Sequence, residues 1–227
     1  FMWLGDDGKL YAPGAKVPAS VKTLTAKWSD HTHCVCGGKN EEDTHTHSSV
    51  DWQPWSATDS LPTSSGNYYL VNNVVLSTQQ KLNADINLCF NGKTVSVTKH
   101  ALSGGERMIS VDSKTPVNVT LTDCGSGGLL DATDAVSFGT TYLANAVSVC
   151  EDNKLVICGG VTVNGDVHLK DNAEARITDR ASLKGDKAAF TTSDSTKLFI
   201  DGHSEVKGVQ ITDKAKARIS GEARVEG

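Results

Sequence analysis

The sequence predicts an all-β protein, organised as a right-handed parallel β-helix of about 20 residues per coil. Three observations carry that reading. Alternation of apolar and polar residues dominates, and no long segment shows helical periodicity. Four C-terminal segments repeat: LVICGGVTVNG (155–165), ARITDRASLKG (175–185), LFIDGHSEVKG (198–208) and ARISGEARVEG (217–227). They place Ile157, Ile177, Ile200 and Ile219 in one column and Val163, Leu183, Val206 and Val225 in another, with Gly165, Gly185, Gly208 and Gly227 closing each unit. The intervals of 20, 23 and 19 residues are the same in all three columns, so insertions fall between units.

The chain has 227 residues, with 22 basic and 27 acidic side chains and a net charge of −5. This balance argues against a nucleic-acid binder, which would carry a basic face. No run approaches the roughly 18 apolar residues of a membrane span. Six cysteines are too few for a disulfide scaffold of this length. The opening Phe1-Met2-Trp3 has neither initiator nor signal peptide and reads as an excerpt from a longer chain.

Composition divides the sequence into residues 1–29, a linker of 30–60, and the coils of 61–227. All four tryptophans (Trp3, Trp28, Trp52, Trp55) and four of the seven histidines lie in the first two zones. The linker contains HTHCVCGGKNEEDTHTH (31–47). Residues i and i+2 of a strand share a face, so Cys34 with Cys36 and His45 with His47 could each offer two ligands. A turn through Gly37-Gly38-Lys39-Asn40 would close them into a Cys2His2 site for structural Zn²⁺. Both pairs are tighter than usual zinc spacings, and His31 and His33 compete as ligands; the plain alternative is a polar linker with idle or oxidised cysteines. Trp52 and Trp55 could stack on a glycan ring, or plug the end of the β-helix.

From Gly66 the coils begin. INLCFNGKTVSV (86–97) and VNVTLTDCGSGGLL (117–130) read as longer, less regular windings. VSV (147–149), VHL (167–169) and VQI (209–211) add a further strand, their last apolar residue eight positions before the column isoleucine. That spacing is expected to break near Phe190, where the 23-residue interval would bulge. Cys89 alternates with inward Leu88 and Phe90 and should face outward, where it could form a disulfide with Cys124 of a neighbouring coil; the alternative is that Cys89, Cys124, Cys150 and Cys158 are small reduced residues in or near the ladder. Glu151, Asp171 and Asp213 form an acidic column at one corner. Stacked carboxylates could hold Ca²⁺ or act as acid and base, but Lys170, Arg176, Arg180 and Lys184 interleave with them as on a solvated face. The end at Gly227, without a polar cap, implies either a continuing chain or end-to-end self-association.

Residues 1–28, with Trp3, the Asp6-Asp7-Gly8-Lys9 turn, Tyr11-Ala12-Pro13-Gly14 and Thr23-Leu24-Thr25-Ala26-Lys27-Trp28, resemble the closing half of the Listeria–Bacteroides (internalin B-type) repeat. From SLPTSSGNYYL (60–70) onward the chain resembles β-helical regions in large surface proteins of gut Firmicutes. The resemblance implies a partial β-grasp-like module joined to an exported, modular cell-surface protein, without implying a reaction. No GxSxG, HExxH, P-loop, dinucleotide fingerprint or EF-hand loop is present. The expected role is therefore a non-catalytic extracellular surface module, an adhesin, stalk or ligand-binding scaffold contacting a host or microbial glycan or surface protein. The rival reading is an accessory or catalytic fragment of a secreted carbohydrate-active enzyme, a glycoside hydrolase or polysaccharide lyase, by analogy of fold.

Overall fold

The computed structural model describes residues 2–27, 31–36, 48–125, 127–133, 135–138, 141–185 and 190–226. The described residues are all-β. None of them forms a helix long and apolar enough to cross a membrane.

The chain opens with strands β1 (Met2–Gly5), β2 (Leu10–Tyr11) and β3 (Leu24–Lys27), which make an antiparallel sheet in the order β2-β1-β3. The turn between β1 and β2 is held by Asp7, whose carboxylate accepts from the Tyr11 hydroxyl at 2.7 Å and the Lys9 backbone N–H at 3.1 Å. Next, β4 (Thr32–Cys34) pairs antiparallel with β5 (Ser49–Asp51). Strand β6 (Gln53–Trp55) then starts the parallel stack, ahead of the compositional boundary at residue 61.

Each following winding contributes one strand to each of three parallel sheets. The first coil is β7 (Gly66–Leu70), β8 (Val74–Leu76) and β9 (Gln80–Lys81), and the second β10 (Ile86–Cys89), β11 (Thr94–Val97) and β12 (Ile109–Val111). The third comprises β13 (Asn118–Thr122), β14 (Leu129–Asp131) and β17 (Asn145–Val149), interrupted by the antiparallel hairpin β15 (Val136–Phe138) and β16 (Thr141–Leu143). The fourth is β18 (Lys154–Ile157), β19 (Thr162–Asn164) and β20 (Asp166–Leu169). The fifth is β21 (Glu174–Ile177), β22 (Ser182–Leu183) and β23 (Phe190–Thr192), and the sixth β24 (Lys197–Ile200), β25 (Glu205–Lys207) and β26 (Val209–Ile211). The last two strands are β27 (Lys216–Ile219) and β28 (Arg224–Glu226). The sheets hold 8, 7 and 6 strands in strict coil order, which is the architecture of a parallel β-helix.

The expected columns are the observed register. Ile157 pairs with Ile177, Ile177 with Ile200, and Ile200 with Ile219. Val163, Leu183, Val206 and Val225 follow the same sequence in the second sheet. Because neighbouring strands lie about 4.8 Å apart, each aliphatic side chain rests on its equivalent above and below. Ile157, Ile177 and Ile200 are fully buried as a result. The hydrophobic effect acting along these ladders is the main force holding the coils together.

The third sheet corrects one expectation. Val149, Leu169, Thr192 and Ile211 are successive partners, so the spacing of eight before the column isoleucine persists through the 23-residue interval. A threonine simply occupies the aliphatic position, buried and with its hydroxyl 3.5 Å from the Gln210 carbonyl. The extra residues enter before Phe190, whose ring is fully buried and pairs with Val167.

Corners explain the acidic column. Glu151, Asp171, Asp194 and Asp213 all adopt left-handed backbone conformations, with φ of 56°, 63°, 56° and 56°. Asp reaches this region more readily than most residues. Its carboxylate also serves the neighbouring coil: Asp194 accepts from the Asp171 backbone N–H at 3.2 Å, and Asp171 from that of Glu151 at 3.5 Å. All four acidic residues shape corners, and the carboxylates of Asp171 and Asp194 also link successive turns.

Candidate metal centre

Among the described residues, one group of three or more His, Cys, Asp and Glu side chains converges: His31, His33, Cys89 and Cys124. Their ligand atoms all lie within 4.8 Å of one another, so the four side chains could hold a metal ion. The group joins three remote parts of the chain. His31 and His33 flank Thr32 at i and i+2 and therefore share a face of residues 31–36, the docking segment that carries β4 against the outside of the coils. Cys89 ends β10, pointing away from the cylinder between inward Leu88 and Phe90, and Cys124 sits at the corner after β13.

The histidine rings are held on aromatic platforms. His31 stacks on Tyr69, with centroids 4.1 Å apart and an interplanar angle of 17°, and His33 stacks on Trp52 at 4.3 Å and 21°. The Trp52 indole N–H donates to the His33 carbonyl at 3.1 Å, fixing the backbone beneath the ring. His33 Nδ1 lies 2.6 Å from the Cys34 carbonyl oxygen. A carbonyl only accepts, so Nδ1 carries the proton and a neutral ring leaves Nε2 free to coordinate. This is the outer bond that usually orients a metal-bound histidine.

Three of the separations among the four ligand atoms match the edges of a small tetrahedron. His31 Nε2 and His33 Nε2 are 3.1 Å apart, Cys89 Sγ and Cys124 Sγ 3.4 Å, and Cys124 Sγ and His31 Nε2 3.5 Å. Tetrahedral Zn²⁺ with ordinary Zn–N and Zn–S lengths would space the same pairs at about 3.3, 3.8 and 3.6 Å. Two ring nitrogens this close require a proton or a cation between them, since their lone pairs otherwise repel. The disulfide expected between Cys89 and Cys124 is not formed: the two thiols are neighbours but free. The Cys89–Cys124 hydrogen bond, helped by His31 and His33, holds Cys124 well below the usual thiol range and, with burial, pushes Cys89 far above it. Burial works against the charged form of His33, but its bonds to Cys124 and the Cys34 carbonyl raise it above the ordinary imidazole value.

The outward Cys89 is fully buried because the docking segment covers it, within a second apolar cluster of Met2, Trp52, Tyr69 and Val71. Gly159 makes the close approach possible. A Cβ there would lie 2.7 Å from the Cys36 carbonyl oxygen and 2.6 Å from that of Asp123, and the residue has φ of 65°.

The ligand set expected from sequence was Cys34, Cys36, His45 and His47. Cys34 and Cys36 are half-buried on the same docking segment, while His45 and His47 lie outside the described residues. The histidine pair treated as a competitor, His31 and His33, is the one brought to Cys89 and Cys124. Its legible signal was the His-x-His spacing; its cysteine partners are 56 and 91 residues beyond His33 and share no local motif with it.

The two candidate glycan-contacting tryptophans part company. Trp52 is 6% exposed, with His33 stacked on its ring. Trp55 lines a cleft of about 720 Å³ between the N-terminal sheet and the first coil, together with Tyr11, Pro13, Gln53 and Tyr68. Its indole N–H is committed to the Ser60 carbonyl at 2.7 Å, so the ring contributes mainly apolar surface there. Comparison with protein-family models, curated proteins and solved structures finds no match for this chain.

Proposed function

We propose that this chain is a non-catalytic scaffold module of an extracellular, cell-surface protein, its β-helix tied to the β4 segment by a structural zinc ion on His31, His33, Cys89 and Cys124. The observation that carries the proposal is the convergence of two imidazole nitrogens and two sulfurs from separate segments within 4.8 Å of one another, three of their separations being close to tetrahedral edges. Zinc in such a closed, four-ligand site supplies folding energy and leaves no open position for substrate. It suits a short docking segment that has little apolar core of its own.

The scaffold role draws support from the continuous ladders and from the acidic column, whose members form corners. A host or microbial glycan or surface protein is the proposed partner, with the Trp55 cleft as the place to seek a glycan contact. Membership in a modular surface protein of gut Firmicutes remains part of the proposal and rests on the resemblance of residues 1–28 and of the coils.

The test is elemental analysis of protein purified under reducing conditions. About one equivalent of zinc is expected, lost in a Cys89→Ser, Cys124→Ser double variant and retained in Cys34→Ser, Cys36→Ser. Less than about a tenth of an equivalent in the unsubstituted protein would overturn the zinc assignment. Loss of metal only in the Cys34, Cys36 variant would move the site to the set that includes His45 and His47.

A further inference from the structure

We propose that the Cys89–Cys124 pair is an oxidative modification site, at which a hydroperoxide replaces the metal clamp with a disulfide between adjacent coils and frees the docking segment. The inference rests on the zinc reading above and assigns its regulation.

The geometry favours this exchange over other thiol fates. The two sulfurs are 3.4 Å apart, so forming an S–S bond of about 2.05 Å requires an approach of roughly 1.4 Å. Both cysteines belong to the β-helix, on β10 and just after β13, which are hydrogen-bonded neighbours. Closure therefore draws together two windings already in register. The histidines, by contrast, come only from the docking segment. Once the sulfurs are consumed, that segment loses its metal-mediated tie to the coils and is left with weaker contacts, among them the stacking of His31 on Tyr69, the packing of Trp52, Val35 and Val50 on the apolar cluster, and the Cys158 Sγ–Val35 carbonyl contact at 3.9 Å.

The electron balance is complete with one hydroperoxide. Cys124 is the partly exposed sulfur and reacts first: its thiolate attacks a peroxide oxygen, the O–O bond breaks, and hydroxide or alkoxide leaves, giving a sulfenic acid. The Cys89 thiolate then attacks Cys124 Sγ, the S–S bond forms, the S–O bond breaks and hydroxide leaves. Two thiolates have lost two electrons, the peroxide has gained them, and Zn²⁺ departs because a disulfide is a poor ligand.

The experiment uses the full 227-residue chain loaded with zinc. Metal content before treatment reports on the zinc reading alone. Stoichiometric hydrogen peroxide is then added while zinc release is followed with a chromogenic chelator and the 89/124 peptide pair by mass spectrometry. The expected result is one zinc released per disulfide, a peptide pair about 2 Da lighter than the two thiols, and new protease cleavage between β3 and β6. Dithiothreitol plus zinc should reverse all three. A His33→Ala variant, impaired in metal binding, should still form the Cys89–Cys124 bond, which separates failure of the pair from failure of the metal site. Retention of zinc under peroxide, or oxidation that pairs either cysteine with Cys34, Cys36, Cys150 or Cys158, would overturn the proposal. So would accumulation of sulfinic acid at Cys124 without disulfide.

Discussion

Replacing Ile177 by alanine tests the ladder directly, because Ile219 provides the same substitution in the same column under different burial. Ile177 is fully buried between Ile157 and Ile200, whereas Ile219 is 54% exposed on β27. Removing three carbons from a buried site costs about 2.4 kcal/mol at ~0.8 kcal/mol each. A residual cavity of roughly 50 Å³ adds about 1 kcal/mol. The expected loss for Ile177→Ala is therefore about 3–4 kcal/mol. At Ile219 only about half of the side chain leaves water and no closed cavity forms, so about 1 kcal/mol is expected. Urea unfolding followed by circular dichroism measures the totals. Amide hydrogen exchange in β18 and β24 should show the Ile177 defect spreading to both neighbouring coils, because a solenoid is stabilised by nearest-neighbour interfaces. Equal losses at the two positions, or exchange unchanged in β18 and β24, would refute the stacked-ladder account.

Three further outcomes follow from particular residues. Asp171→Ala should cost about 1 kcal/mol in urea unfolding, since alanine is strained at φ 63°, whereas Asp171→Gly should be close to neutral; a harmless alanine would show that the corner does not select its residue. Thr192→Val should raise stability by about 0.5–1 kcal/mol, because the buried hydroxyl has only a long contact to the Gln210 carbonyl; a loss would mean that this bond outweighs the gain in apolar burial. The Tyr11 phenol, raised to about 12 by its hydrogen bond to Asp7, should ionise late in an ultraviolet absorbance titration, and Asp7→Asn should return it toward 10. The sign is that of an acid raised on folding: the Tyr11–Asp7 bond is intact below the unfolded phenol range and is lost as pH rises through about 12. At the acid end the lowered Asp7 carboxyl makes its contribution above the usual carboxylate range and loses it as pH falls. An unchanged Tyr11 midpoint in Asp7→Asn would exclude that bond as the cause.

The coils were legible because the information is local and repeated. A strand turns alternate residues inward, so Ile157, Ile177, Ile200 and Ile219 announce both their face and their register through spacing alone. Thr192 hid one strand because a polar residue broke the apolar signature while leaving the spacing intact. Glu151, Asp171 and Asp213 showed their column but not their purpose, since acidic residues occur on solvated faces as well as at left-handed corners, and only the backbone shows which. The facing of Cys89 and its proximity to Cys124 also followed from alternation and coil order.

The candidate metal-binding group is a different kind of information. His31 and His33 advertise a shared face, but nothing in the spacing says which surface that face meets. Only the docking of β4 over Tyr69 and Trp52, with Gly159 small enough to admit the segment, places the two rings above sulfurs from two separate coils. The sequence by itself determined the winding, because stacking repeats a short-range rule once per turn. The tertiary structure decided the site, because its four ligands meet through the packing of a non-repeating segment against the outside of the cylinder, a contact for which no periodicity exists.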